Sequence, residues 1–213
     1  MQWNWTILEE FVAPELRALN KFAVPELQQM PNYFNSLLVN QVFVAKLPEQ
    51  DRRLTANFIA RIEHANDAYR AGSAYLSQYI DCLPENDTTK LYRRSLRNFE
   101  NCILHTHVAI SCAIKIANIY RVEPLYQPGD CSDYDRIRRI NNRIKHFDED
   151  IICCGADNNS PTVPMWLTNE GLKSSDGEIS YIELHNVLSF AEADCMESSE
   201  NFFNYVRERN KKS

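Results

Sequence analysis

Long stretches without proline are the feature that most limits what this chain can fold into. Of its nine prolines, none lies between Pro48 and Pro84 or between Pro84 and Pro124. Proline ends or kinks a helix because it lacks the backbone N–H and its ring clashes with the preceding turn. Within the long intervals that the prolines leave, apolar residues recur at helical spacing, so the sequence predicts a mainly helical fold.

The same periodicity predicts the order of elements along the chain. We predict six helices, at residues 3–22, 25–46, 48–80, 88–121, 133–152 and 183–207. Short β-prone runs at 163–168 and 178–182 surround Gly171 and Gly177, which suits a small β-hairpin. The fourth helix is apolar on one face and, in its C-terminal half, on the opposite side, so we expect it to be packed on two sides. The expected fold class is all-α, a helical bundle with a small β-hairpin before the last helix.

The length of 213 residues allows one domain with a small appendage. We expect N-terminal helices over 1–48 packed on the bundle, a main helical domain over 49–207 with the hairpin at about 162–182, and a charged tail at 208–213. Only 5 glycines are present, and the chain has no GxGxxG, GxxxxGK[ST] or GxSxG motif. This argues against the common nucleotide-binding and α/β-hydrolase folds.

Charge and cysteine content limit the partners and the compartment. The formal net charge of −6 and the pI near 5.4 exclude a generally basic surface for duplex DNA. Seven scattered cysteines are unlike a secreted disulfide framework, and the acidic N-terminus lacks the basic region of a signal peptide. The most apolar run, 108–119, contains Lys115 and is too short to span a bilayer. We therefore expect a soluble cytoplasmic protein that does not cross a membrane.

Residues 135–150, DRIRRINNRIKHFDED, carry the most informative pattern in the chain. On a helical wheel, Ile137, Ile140 and Ile144 cluster on one side, which is the expected buried face. An adjacent narrow face gathers two guanidinium groups, an amide, an imidazole and a carboxylate, from Arg139, Asn142, Arg143, His146 and Asp150. We name this set the polar strip. Solvated helix faces usually mix Glu and Lys, so this combination is a candidate site.

The polar strip has the chemistry needed to hold and cleave a phosphodiester. Arginine offers a planar fork of donors to phosphate oxygens and keeps its charge, and histidine accepts or donates a proton near neutral pH. RNA supplies its own nucleophile, the ribose 2′-hydroxyl, so such a site could cleave RNA without a metal. The alternative is structural, with the strip forming salt bridges to an acidic neighbour or a dimer partner.

The segment from Arg139 to Glu149, RINNRIKHFDE, resembles the signature of the HEPN superfamily of helical proteins. That signature is an arginine followed, after four to six residues, by a histidine near the end of a helix, and six residues separate Arg139 from His146. The following PMWLTNEG at 164–171 and ISY at 179–181 look like the small hairpin insert of one bacterial subgroup. The likeness covers roughly residues 50–205.

The resemblance implies an all-α bundle that dimerises so that two such motifs face each other. It implies a metal-independent endoribonuclease in active members, often in toxin–antitoxin or phage-defence systems. In other members it implies a non-catalytic module that works through a partner protein or a bound nucleotide. In the active form His146 would act as general base or acid, Arg139 and Arg143 would bind the scissile phosphate, and Asn142 would orient it. The expected partners are a second copy, RNA, and an antitoxin or another protein, with no cofactor and no metal.

One position departs from the family pattern. In the commoner form with shorter spacing, the arginine would fall at position 141, which is Asn141 here. Three explanations stay open: Arg139 takes the role through the long spacing, Arg143 substitutes from the next turn, or the activity is lost. In the last case the protein would be an interaction module or a structural subunit of a larger assembly.

A second set of cations lies in the first half of the fourth predicted helix. Lys90, Arg94 and Arg97 recur at helical spacing on one face and could guide an RNA backbone towards the polar strip. The alternative is a solvated face that pairs with acidic helices. A zinc site has little support, because the adjacent Cys153 and Cys154 fit no standard zinc spacing.

Overall fold

The chain is mainly helical, with one small antiparallel sheet near its C-terminal end. The computed structural model describes residues 5–31, 48–83, 88–120, 126–153 and 163–193. The helices in these ranges are α1 (Trp5–Phe11), α2 (Glu49–Asp81), α3 (Thr88–Tyr120), α4 (Asp133–Cys153) and α5 (residues 181–193). The strands are β1 (Trp166–Leu167), β2 (Gly171–Ser174) and β3 (Gly177–Ser180). This confirms the expected helical fold with a small β element before the last described helix.

Helices α2 and α3 form the centre of the bundle and pack against each other along much of their length. Their predicted positions are confirmed, and α2 begins directly after Pro48, where a missing N–H does no harm. Buried aromatic rings lie between the two helices, with Tyr69 and Phe99 in edge-to-face contact at 5.8 Å between ring centroids. Burying a side chain of this size stabilises a fold by about 1.5–3 kcal/mol, so this aromatic layer is a main source of the pairing.

The N-terminal segment does not form the long first helix that its periodicity predicted. Helix α1 ends at Phe11, and residues 12–31 contain only a short 3-10 turn at Leu16–Ala18. Pro14 lacks the N–H that a continuing helix needs. Glu15 takes the left-handed backbone conformation, with φ 61°, which does not occur inside a right-handed helix.

The rest of this segment, residues 19–31, is not helical and packs on the bundle. Residues 25–31 are not helical, so the helix predicted over 25–46 is wrong there, and its remaining residues lie outside the described ranges. The hydroxyl of Tyr69 on α2 donates to the carbonyl of Pro25 at 3.0 Å, and this bond holds the segment against α2. The apolar spacing that predicted helices here instead reflects burial, as shown by Leu16, Leu19 and Leu27.

The small sheet has three strands in the order β1–β2–β3, where a two-stranded hairpin was predicted. The additional strand is β2, which begins at Gly171, a residue expected in the turn region. Gly171 lies opposite Ser180, and an added Cβ would meet the carbonyl oxygen of Ile179 at 2.2 Å. The glycine therefore permits a close approach of two backbones within the sheet.

Helix α5 begins earlier than predicted because of a capping box. The Oγ of Ser180 accepts from the N–H of Glu183 at 3.1 Å, and a carboxylate oxygen of Glu183 accepts from the N–H of Ser180 at 2.8 Å. This exchange satisfies two donors at the helix start, so β3 ends at Ser180 and the helix follows at once. The strand predicted to reach residue 182 is therefore too long, and the helix end predicted at 207 lies outside the described residues.

The first turn of the sheet fastens the N-terminal segment to it. The side-chain oxygen of Asn169 accepts from the backbone N–H groups of Asn20 and Lys21 at 3.2 Å each. The side-chain amide of Asn169 donates to the carbonyl of Ala18 at 3.1 Å. One short side chain thus holds the segment after α1 beside the sheet.

By length and composition alone, α3 could cross a membrane over Thr89–Ile119, although the sequence predicted no such segment. This is weak support for a membrane span, because the core helix of a globular protein passes the same test. Its most apolar window is 33% buried, and Phe99 and Ile103 have no exposed surface. The predicted packing on two sides is only partly met by the described residues, since Leu104 and Ile119 are 36% and 41% exposed.

Candidate functional site

Helix α4 is capped by a serine at its start. The face that carries its isoleucines is buried, as the sequence predicted. The Oγ of Ser132 accepts a hydrogen bond from the N–H of Asp135 at 3.3 Å, which satisfies one of the free donors at the helix start. Ile137 and Ile140 have no exposed surface. The helix predicted over 133–152 is confirmed, and its buried face fixes which side the polar strip occupies.

Two arginines of α4 outside the polar strip hold the helix in place. Arg136 pairs with Asp133 of the first turn and with Glu183 of α5, the latter at 2.8 Å. Arg138 binds Asp135 at 2.7 Å. Burial would raise the pKa of the Asp135 carboxyl, but hydrogen bonds from Arg138 and from the backbone outweigh this effect and lower the pKa. These two arginines therefore have structural partners on α4 and α5.

The structure places the predicted site residues together on one face of α4. Arg139 and His146 are exposed, and Asn142 and Arg143 are half-buried. The four side chains lie within eight consecutive residues, and Arg139 and His146 are separated by about 10 Å along the helix axis. The side chain of Asp150 lies outside the described residues.

Both arginines of the polar strip make local contacts. The guanidinium of Arg139 donates to the backbone carbonyl of Asp176, in the turn between β2 and β3. The guanidinium of Arg143 lies over the ring of Phe147, 5.3 Å from its centroid, which is a cation–π contact. A guanidinium carries five N–H donors, so the contact with Asp176 does not exhaust what Arg139 can offer a phosphate.

Asn141, the position of the arginine in the short-spacing form of the signature, is part of the protein interior. It is 1% exposed, and it lies about 160° around the helix from Arg139. Neither its side-chain oxygen nor its side-chain nitrogen has a hydrogen-bond partner within the part of the chain that the structure describes. A side chain at this position is directed away from the polar strip and cannot contribute to it.

Asn141→Leu is expected to raise the free energy of unfolding by about 1 kcal/mol. The reason is that a buried amide without partners costs about 1–3 kcal/mol, and an apolar side chain of similar size removes that cost. Urea denaturation measures the change. Asn142→Leu, at the half-buried neighbouring position, is the matched control and should change stability by less than about 0.5 kcal/mol. A clear loss of stability in Asn141→Leu would contradict the expectation.

The second predicted set of cations lines an open groove with a volume of about 710 Å³. Lys90, Arg94 and Arg97 lie on its α3 wall as their spacing predicted, and Arg93 joins them. The facing walls come from the end of α1 and from the residues before β1, and include Phe11, Val12, Val163 and Pro164. We name this the basic groove. Sequence reasoning missed Arg93, although it lies three residues from Lys90 and four from Arg97, on the same face.

The cations of the basic groove are arranged in a way that does not stabilise the helix. Lys90 and Arg94, and likewise Arg93 and Arg97, are four residues apart, and each like-charge pair at this spacing costs about 0.2–0.5 kcal/mol. Lys90 also lies in the first turn of α3, where the helix dipole disfavours positive charge. Among the described residues, none of the four forms an ion pair with a carboxylate. The described residues therefore do not support the alternative in which these cations pair with acidic helices.

Glu100 is the acidic member of the residues that line the basic groove. Burial raises the pKa of its carboxyl, so Glu100 keeps its proton to a higher pH than an exposed glutamate does. Arg94 lies over the ring of Tyr75 on α2, 5.6 Å from its centroid. Among the described residues that line it, the groove is therefore cationic on its α3 side, and the carboxyl of Glu100 is less readily ionised than usual.

The basic groove and the polar strip lie at different levels of the bundle. Burial lowers the pKa of His107 on α3, and the charges of Lys145 and Arg138 on α4 lower it further, so this part of α3 lies near α4. Arg97 lies ten residues before His107, which is about 15 Å along the α3 axis. An RNA strand guided from the groove to the strip, as the sequence suggested, would have to cover a distance of this order.

The described ranges contain no group of three His, Cys, Asp or Glu side chains that could hold a metal ion. His105 contacts Arg61 at 3.1 Å and the ring of His64 at 5.1 Å between centroids. Its pKa is lowered by burial, and further by the charges of His64 and Arg61. His105 therefore has local partners on α2, and the side chains of Cys153 and Cys154 lie outside the described residues.

The likeness to the HEPN superfamily rests on the spacing of Arg139 and His146 and on the hairpin residues that follow them. No protein-family model matches the chain, and no curated protein or solved structure is significantly similar to it.

Proposed function

We propose that this protein is a metal-independent endoribonuclease of the HEPN type, with the polar strip as its active site. The observation that carries the proposal is that Arg139, Arg143 and His146 share one accessible face of a single helix. The neighbouring Arg138 is engaged in an ion pair instead. Asn141 is buried on another side of the helix. The positive charge that binds the phosphate in this proposal therefore comes from Arg139 and Arg143.

Each step of the proposed reaction uses a group of the polar strip or of the RNA. Neutral His146 takes the proton of a ribose 2′-hydroxyl, whose oxygen then attacks the adjacent phosphorus. Arg139 and Arg143 hold the phosphate and stabilise the charge that develops on it, and Asn142 orients it. The bond from phosphorus to the 5′-oxygen breaks, and that oxygen takes a proton from an imidazolium or from water. The products are a 2′,3′-cyclic phosphate end and a 5′-hydroxyl end.

The proposed assembly is a homodimer in which two polar strips face each other. The reaction needs a base for the 2′-hydroxyl and an acid for the leaving oxygen, and two strips supply two histidines. The protein would act in the cytoplasm as a toxin or phage-defence nuclease, and an antitoxin or another protein would restrain it. The proposed steps use neither a cofactor nor a metal.

The test is to incubate the purified full chain with a mixed RNA pool in EDTA. The wild type is expected to cleave and to leave 2′,3′-cyclic phosphate ends. His146→Ala is expected to be slower by about 100-fold or more, because a positioned acid–base group contributes about 10²–10⁴ to the rate. His64→Ala removes an exposed histidine of α2 and is the matched control, with an unchanged rate expected.

Circular dichroism and gel filtration establish that each variant keeps its helicity and its oligomeric state. A folded His146→Ala variant that cleaves at the wild-type rate would show that the polar strip is not the active site. Cleavage that disappears in EDTA and returns with a divalent cation would contradict the metal-free mechanism.

A non-catalytic interaction module is the second candidate function. The net charge of −6 and the asparagine at position 141, where the short-spacing signature has an arginine, favour it, because both weaken the case for binding and cleaving RNA. In that case the wild type leaves RNA intact, and Arg143→Ala weakens the capture of a protein partner. If the polar strip is only structural, Arg143→Ala lowers the melting temperature or splits the dimer instead.

A further inference from the structure

The N-terminal half of α2 meets the C-terminal half of α3 around a small apolar cluster that is separate from the main core. The buried residues of this cluster in the described ranges are Met30, Ile59, Ile62 and Ala109. A region with few buried apolar groups opens locally at a lower cost than the main core does. The polar contacts between the helices therefore matter more here than in the aromatic layer.

Arg61 of α2 joins the two helices through a contact that requires an uncharged histidine. Its Nη1 atom lies 3.1 Å from Nδ1 of His105 on α3. A guanidinium has only N–H donors and does not lose its charge, so Nδ1 must accept with its lone pair. His105 is therefore neutral in this contact, with its proton on Nε2.

The charged groups that face His105 oppose a positive charge on its ring. The ring of His64 on α2 lies edge-to-face with that of His105, 5.1 Å away between centroids. Burial lowers the pKa of His105, and the charges of His64 and Arg61 lower it further. Glu63 precedes His64 in sequence but lies about 100° around α2 from it. The α3 residues one turn away carry no charge at neutral pH, and they are Asn101, Cys102, Val108 and Ala109.

Arg61 also fixes the side chain that covers a buried thiol. Its Nε atom donates to the side-chain oxygen of Asn57 at 3.3 Å. The side-chain nitrogen of Asn57 donates to Sγ of Cys112 at 3.2 Å. Asn57 is exposed, whereas Cys112 is 5% exposed. The thiol therefore lies directly under a side chain that Arg61 holds in place.

We propose that the contact between Arg61 and His105 is an acid-sensitive latch that keeps Cys112 covered. When His105 takes a proton, Nδ1 can no longer accept, and the new charge repels Arg61. Arg61 then leaves the ring and no longer fixes Asn57, so this part of the helix pair opens and the thiol meets solvent.

The direction of the pH dependence follows from the lowered pKa of His105. The closed form binds a proton more weakly than the open form, in which the histidine has its ordinary pKa of about 6.5. The latch is therefore closed above that pH and opens as the pH falls through the lowered pKa. The proposal goes beyond RNA cleavage and does not depend on it, since the latch contains no residue of the polar strip.

Thiol labelling of the full chain from about pH 7.5 to about pH 5.5, where histidine changes its charge, tests the latch. The reagent is 4,4′-dithiodipyridine, which reacts with thiols in weak acid as well as at neutral pH, and peptide mass spectrometry assigns the labelled residues. The rate at Cys112 is divided by the rate at Cys131, an exposed cysteine of the same chain. This ratio removes the pH dependence of the reagent and is expected to rise several-fold in acid.

Three variants assign the rise to His105. His105→Asn keeps an acceptor for Arg61 but takes no proton, so its ratio should stay low over the whole range. His105→Lys is charged throughout, and its ratio should be raised several-fold already at neutral pH. His107→Asn is the matched control, because the pKa of His107 on the same helix is also lowered, by burial and by the cations of α4. This variant should keep the rise of the wild type.

Cys102 reports whether the opening is local, because it has no exposed surface and belongs to the main core. An equal rise at Cys102 and Cys112 would mean that the whole bundle unfolds in acid and would overturn the proposal. A wild-type ratio that does not change with pH would overturn it too, as would a full rise in His105→Asn. Circular dichroism at each pH establishes that the variants stay helical. None of these results involves His146, so the ribonuclease proposal fails or stands separately.

Discussion

Gly171→Ala is expected to disrupt the pairing of β2 with β3 and to lower the free energy of unfolding by about 3 kcal/mol. The Cβ of an alanine would lie 2.2 Å from the carbonyl oxygen of Ile179 and 2.6 Å from the Cα of Ser180. Both are backbone atoms, so no side chain can rotate away and the strands must separate. Separation would expose Leu172 and Ile179, which are 1% exposed and lie opposite each other.

Urea denaturation followed by circular dichroism measures this loss. Gly129→Ala is the matched control, because Gly129 has φ 90° but nothing lies within 4 Å of an added Cβ. Its left-handed conformation costs an alanine about 1–2 kcal/mol, without a clash. Equal losses in the two variants would contradict the steric explanation for Gly171. The Gly171→Ala variant should also weaken the contact from Arg139 to Asp176, since that carbonyl lies in the β2–β3 turn.

Phe99→Ala is expected to lower the free energy of unfolding by about 3–5 kcal/mol, the range for truncation of a buried phenylalanine. Phe99 has no exposed surface, and its ring lies 5.8 Å from that of Tyr69 and 5.5 Å from that of Tyr181 between centroids. An added Cβ at Gly72 would meet the Phe99 ring at 3.0 Å, so this glycine makes room for the ring. A cavity here would loosen α2, α3 and the start of α5 together.

Phe11→Ala is the matched control for this truncation, because Phe11 is 63% exposed. It should change the free energy of unfolding by less than about 0.5 kcal/mol. Phe99→Leu should lie between the wild type and Phe99→Ala, because leucine fills part of the space. A loss below about 1 kcal/mol for Phe99→Ala would mean that the helices close the cavity at little cost.

Helices α2, α3 and α4 could be predicted to within a few residues because their signals are local and long. Pro48 stands directly before α2, Ser132 caps α4, and apolar side chains recur over many turns. The N-terminal segment has the same apolar spacing, yet it is largely non-helical because Pro14 and Glu15 interrupt it. Apolar spacing reports that side chains are buried, and a segment can bury them without becoming a helix.

The candidate site was predictable to the extent that one helix forms it. The shared face of Arg139, Arg143 and His146 follows from 3.6 residues per turn once α4 exists. The same spacing rule could have added Arg93 to the cations of α3. The pair of Arg136 with Glu183 was not predictable, because it joins residues 47 positions apart in the chain. The same holds for the walls of the basic groove, which come from three separate segments.

The sequence by itself determined where the long helices lie and which of their faces are apolar, basic or rich in Arg, Asn and His. Those properties depend on neighbours within one or two turns, and the chain carries them directly. The tertiary structure decided that β2 completes a three-stranded sheet, that Asn141 is buried, and that Phe11 lies beside the cations of α3. Each of these depends on which distant segments pack together, and packing of that kind is set by the whole core rather than by any local pattern.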